Sequence, residues 1–135
     1  FNIAQDPVTA AHVLAEWPTP VDFPGWETAL EAFTGQALSR AGERNLIGAA
    51  YRSYTGEGAG RESWDLIAMH YAITADPRLY TPSSPGHVVV ERDGTTRFVD
   101  SEDGDQRYIS LAAEPARVAE SLDALLERST RSHAL

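Results

Sequence analysis

Residues 1–27, FNIAQDPVTAAHVLAEWPTPVDFPGWE, change texture several times within a short span. Phe1 to Ala4 reads as the end of a strand or the approach to a helix. Asp6-Pro7 reads as a helix start. The Asp carboxylate can accept from an orphan amide, and Pro loses no hydrogen bond at the first helical position. Ala10, Val13, Leu14 and Trp17 then recur at helical spacing and make one apolar stripe. Pro18 and Pro20 stop that helix. Val21 to Phe23 is a short strand, closed by Pro24-Gly25. Helix alternating with strand points to an α/β protein.

Working outward, a second helix is expected from about Glu27 to Leu38, with Leu30, Phe33, Ala37 and Leu38 on one face. Gly35 weakens its middle by up to about 1 kcal/mol. Asn45 caps a third helix, with Leu46, Ala50 and Tyr54 spaced for one side. TGEGAGRES, residues 55–63, is a loop. It has no GxGxxG following a strand, so a phosphate cradle has little support. Ser63 caps a fourth helix of about Trp64 to Ala75. Leu66, Met69, Ala72 and Ile73 make its apolar and expectedly buried side. Asp76-Pro77 ends it.

From Tyr80 the pattern shifts to strands. GHVVVERDGTTRFVD, residues 86–100, reads as two strands across an Asp93-Gly94 turn. QRYISL, residues 106–111, is a third. A last helix follows Pro115, with Val118, Leu122 and Leu125 inward. DSEDGD, residues 100–105, has the composition of a calcium loop. It lacks the twelve-residue spacing and the closing Glu, and reads as a polar turn.

The whole chain of 135 residues fits one domain. Its 42% hydrophobic and 23% charged content leaves ample material to bury. The net charge of −9 and the scattered arginines argue against nucleic acid as a partner. There is no Cys, which removes disulfides, thiolate metal sites and a Cys nucleophile. No apolar run is long enough to span a membrane. A basic-then-apolar leader pattern is also missing, so the expected location is cytoplasmic. Residues 1–79 are expected to form an α/β core. Residues 80–135 add a β meander and a terminal helix that complete the same domain. The helices of residues 1–80 outnumber the strands that could cover them. A small helical domain bearing a hairpin is therefore the alternative.

Among residues able to carry chemistry, Asp65 stands out. It lies at a helix start, where the dipole favours its anion, between apolar Trp64 and Leu66. It reads either as a first-turn acid or as a hard oxygen ligand for Ca²⁺ or Mg²⁺, and a calcium site would need partners from elsewhere. Asn2 can donate to and accept from a sugar hydroxyl, or it is simply a terminal residue. His70 and His87 are candidate bases, with a satisfied or surface histidine the better reading. His12 and His133 look peripheral. Trp17, Trp26 and Trp64 read as core. Ser63 has no evident His and Asp partners for a triad. Glu27 either caps or binds.

FNIAQDPVTAAHVLAEWPTPVDFPGWE and ESWDLIAMHYAI, residues 62–73, together resemble the C-terminal half of the inosine–uridine-preferring nucleoside hydrolases. That family cleaves the N-glycosidic bond between a nucleobase and ribose. The resemblance is strong to about Ile73 and weak through the hairpin. It implies a three-layer α/β fold with a mostly parallel sheet, Ca²⁺ as cofactor and a ribonucleoside as substrate. By position it makes Asn2 the ribose-holding amide and Asp65 a calcium ligand. Trp64 falls where several members place a His near the leaving base. An indole there can stack or shape a pocket but cannot act as an ordinary acid.

The chain departs from the family in one large respect. The DTDPGxDD-type motif, which supplies the general base and most calcium ligands, is missing from it, and so is the Glu expected before Phe1. The chain is therefore expected to be the C-terminal part of a Ca²⁺-dependent nucleoside hydrolase, inactive alone, with no catalytic base of its own. Its orphaned faces are expected to need the missing half or to drive self-association. The alternatives are a non-catalytic interaction module and a relative that binds nucleosides or sugars without cleaving them.

Overall fold

The computed structural model describes residues 2–41 and 45–131; Phe1 and His133 lie outside them. It is a mixed α/β fold with a central sheet and several helices. The chain forms two compact units, residues 1–23 with 82–109 and residues 24–81 with 110–135.

The first unit opens with a single helical turn, α1 (Asn2–Gln5), where the end of a strand was expected. A Cβ added at Gly94 would lie 2.6 Å from the Ala4 Cα, so the hairpin turn covers this segment, and no strand pairs with it. Helix α2 (Pro7–Glu16) starts as expected: Asp6 accepts from the Thr9 amide at 3.0 Å and the Thr9 hydroxyl at 2.6 Å. Its contact stripe is narrower than expected. Ala10 and Leu14 are half-buried, whereas Val13 and Trp17 are exposed. Helix α2 packs mainly on β5 (Gly86–Val90), and Trp17 falls beyond its last turn, giving its indole N–H to Thr19 Oγ1.

Strands β1 (Val21–Pro24), β4 (Tyr80–Pro82), β5 (Gly86–Val90), β6 (Thr96–Asp100) and β7 (Gln106–Leu111) make the main sheet. Their order is β1-β7-β5-β6, with β4 also on β7. As the expected hairpin and meander require, β5 runs antiparallel to both β6 and β7. A short turn through Asp93-Gly94 can join neighbouring strands only in that sense. Gly94 takes φ +84° there, a left-handed conformation that glycine adopts without strain. Buried Gln106 ties the layers together. Its amide donates to the Leu14 carbonyl and accepts from the Val88 amide, both at 2.7 Å. DSEDGD is a polar turn, closed by Gly104 N–H on the Ser101 carbonyl at 3.0 Å.

The second unit holds α3 (Trp26–Ala29), β2 (Phe33–Thr34), a 3₁₀ turn (Leu38–Arg40), α4 (Leu46–Thr55), β3 (Arg61–Glu62), α5 (Trp64–Thr74) and α6 (Pro115–Arg131). The helix expected from Glu27 to Leu38 stops after its first turn. Gly35, at φ +84°, turns the chain, and its amide donates to Asp123 of α6 at 2.8 Å. This leaves Phe33–Thr34 extended and paired antiparallel with β3.

Ala29, Ala32, Leu38, Ile67, Val118, Ala119 and Leu122 are buried in this unit. Val118 and Leu122 face inward as expected, but Leu125 is exposed one turn further along. The apolar sides expected for α4 and α5 are both wrong. Leu46, Ala50 and Tyr54 are exposed, while Gly48 is buried against the Leu38 carbonyl. A side chain there would collide with that carbonyl, so the small residue sets the contact face. On α5, Met69, Ala72 and Ile73 are exposed and Ile67 is fully buried. Shifting from Leu66 to Ile67 rotates the buried face by about 100°.

Candidate functional site

Helix α5 presents the candidate site at its first turn. Asp65 is exposed there, at the positive end of an 11-residue helix. Ser63 occupies the N-cap position but does not cap. Its buried hydroxyl instead donates to the Ala32 carbonyl at 2.7 Å and meets Thr34 Oγ1 at 2.9 Å. Asp65 is thus the first-turn acid, and its carboxylate is open to a ligand.

Trp64 stacks on Trp26 with ring centroids 4.6 Å apart and planes 21° apart. The Trp64 indole N–H donates to the Trp26 carbonyl at 2.9 Å. That donor is therefore committed to the backbone. Arg61 lies 5.8 Å from the Trp64 ring centroid and 4.1 Å from that of Tyr54. Trp26 is 62% exposed and Trp17 52%, so neither is the core residue expected. The Trp26 and Trp64 rings cover each other while leaving aromatic surface in solvent. An indole face of this kind can stack on a nucleobase or a sugar ring. Sequence reasoning missed Tyr54, Arg61 and Trp26 as one cluster. The short spacing of Arg61 from Trp64 was the available signal, but the arrival of Trp26 from α3 was not legible.

Asn2 is exposed on α1 and belongs to the first unit, whereas Trp64 and Asp65 belong to the second. His70 is the satisfied histidine: its Nδ1 lies 2.8 Å from the Tyr80 hydroxyl. Burial, with the charge of Asp76 adding, pushes the Tyr80 hydroxyl up to about 12. Tyr80 therefore stays protonated and can donate to that nitrogen. His12, Glu27 and His87 are exposed.

Calcium takes six to eight oxygens, and a carboxylate supplies one or two. Asp65 is a donor of the right class. Among the described residues no group of three or more His, Cys, Asp and Glu could hold a metal. Asp65 fits as one ligand of a shared site and not as a site in itself. In the first unit, a shallow open depression is lined by Ser84, Pro85, Asp100, Ser101 and Glu102. Among the described residues, no helix is long and apolar enough to cross a membrane.

Comparison of the chain with protein-family models, curated proteins and solved structures returns no match.

Proposed function

We propose that the chain is the C-terminal part of a Ca²⁺-dependent N-ribosyl hydrolase acting on nucleosides, and that it is inactive by itself. The observation that carries this reading is the open Asp65 carboxylate beside the solvent-facing Trp26–Trp64 stack. Support also comes from the resemblance of residues 1–27 and 62–73 to that family. The finer fold proposed is the family's three-layer α/β arrangement with a mostly parallel sheet, shared with polypeptide outside these 135 residues.

In this reading Asp65 contributes one or two oxygens to the metal shell. Held by Asp65 together with ligands from elsewhere, a Ca²⁺ ion would supply charge that could orient a sugar. The resemblance assigns Asn2 a ribose contact through its amide. Trp64, whose N–H is engaged by the Trp26 carbonyl, shapes the base pocket and does not protonate the leaving base. The anionic field of Asp65 favours the cationic character that the ribose gains as the bond stretches. The general base comes from the remainder of the enzyme.

Titrating the 135-residue chain with Ca²⁺ in a calorimeter should show no saturable binding at micromolar metal. Joined to its upstream half, the chain should release base from a ribonucleoside. Asp65→Asn should then lower kcat/KM on the order of 10²-fold or more, by misplacing the sugar. Tight one-to-one Ca²⁺ binding by the chain alone, or an Asp65→Asn enzyme of full activity, overturns the reading.

One observation favours a rival, a non-catalytic interaction module. Met69 and Ile73 expose 63% and 75% of their surface on one side of α5. Such a face suits a protein partner, and nucleoside turnover by the joined chain excludes the rival.

A further inference from the structure

The site's support contains a feature that the roles above do not use: a line of hydroxyls, two of them buried and one half-buried, behind the head of α5. Thr34 Oγ1 lies 2.7 Å from Tyr51 Oη and 2.9 Å from Ser63 Oγ. Ser63 Oγ in turn lies 2.7 Å from the Ala32 carbonyl and 3.4 Å from that of Arg61. Thr34 and Ser63 are almost completely buried.

The direction of these bonds follows from counting hydrogens. A hydroxyl has one hydrogen to donate, and a carbonyl only accepts. The Ser63 hydrogen goes to a carbonyl, so Thr34 must donate to Ser63. The Thr34 hydrogen is then committed, so Tyr51 must donate to Thr34. The line runs one way, from Tyr51 on α4, through Thr34 on β2, to Ser63 at the start of α5. Its last member directly precedes Trp64.

We propose that this one-way hydroxyl line is a positioning device for the candidate site, with Thr34 and Ser63 as the residues that hold the Trp64–Asp65 turn in place. Ser63 forgoes the capping bond that its position offers and anchors the head of α5 to β2 and the Ala32 carbonyl instead. The purpose of the device rests on the reading given under Proposed function, but its geometry does not.

The test uses the 135-residue chain without nucleoside and reads the circular-dichroism exciton couplet of the stacked indoles. The signal lost in Trp26→Ala defines that couplet. Thr34→Val and Ser63→Ala should each lose it, while Thr34→Ser keeps the hydroxyl and should restore it. Tyr51→Phe removes only the first donor and should leave the couplet in place, because Thr34 can still donate to Ser63. A cooperatively melting Thr34→Val chain with an unchanged couplet overturns the proposal, and so does a Tyr51→Phe chain as damaged as Ser63→Ala. Should Thr34→Val fail to fold, Tyr51→Phe and Thr34→Ser decide: retention of the couplet in both supports the device, and its loss in either overturns it. Failure of the joined enzyme to cleave nucleosides, with this pattern intact, removes the hydrolase reading and leaves the positioning line standing.

Discussion

Single residues hold several of the turns through backbone conformations that their neighbours impose. Ala75, at the C-cap of α5, sits at φ +42°, where a Cβ is strained. Ala75→Gly should stabilise the protein by about 0.5–1 kcal/mol in denaturant unfolding. Gly35 is the opposite case. Its φ of +84° and the Tyr51 ring over its missing Cβ leave no space for a side chain. Gly35→Ala should cost about 2–3 kcal/mol, measured the same way. Asp123, which accepts from the Gly35 amide, carries a pH signature. Burial raises its carboxyl above the ordinary carboxylate value; the Gly35 bond works against this, and the charge of Glu127 adds to it. An acid whose folded value is raised contributes stability that is complete below its unfolded value of about 3.9 and lost as pH rises through the folded one. Asp123→Asn can keep the Gly35 bond without a charge. Its melting temperature should therefore fall less than that of the parent chain between acid and neutral pH.

At the scale of elements, what a helix needs and what its partners allow diverge in α4 and α5. Both begin where the sequence places them, α4 through a local cap and α5 without a side-chain cap. Asn45 accepts from the Gly48 amide at 2.9 Å, as a cap should. Both then bury a face other than the most apolar one. The exposed Met69 and Ile73 therefore contribute little to the stability of the isolated chain. Met69→Glu with Ile73→Lys should change unfolding free energy by less than about 0.5 kcal/mol. The same pair should reduce any self-association seen in sedimentation, since it removes exposed apolar surface. A large loss of stability would mean that the face is packed in solution.

At the scale of the molecule, burial is unevenly shared. Among the described residues, Ile109 is the one buried hydrophobic residue of the first unit, whereas the second unit holds Ala29, Ala32, Leu38, Ile67, Val118 and Leu122, among others. Local opening is easiest where few apolar groups are buried. Amide exchange should therefore be slowest at Ile67, Val118 and Leu122 and markedly faster along β6, whose residues are mostly exposed. Equal protection in the two units would contradict this order.

The sequence by itself determined the features encoded within a few residues. These are the Asp6 and Asn45 caps, the proline stop after α2, the hairpin through Asp93-Gly94, and α6 from Pro115 with Val118 and Leu122 inward. It also made Asp65 a first-turn acid. Tertiary structure alone decided the break between Glu27 and Leu38, the faces that α4 and α5 bury, the stacking of Trp26 on Trp64, and the diversion of the Ser63 hydroxyl from its cap. A cap or a tight turn closes its hydrogen bonds locally, so a short window contains both partners. The Gly35 amide finds its acceptor 88 residues away, on Asp123, and no local pattern in either segment specifies the other.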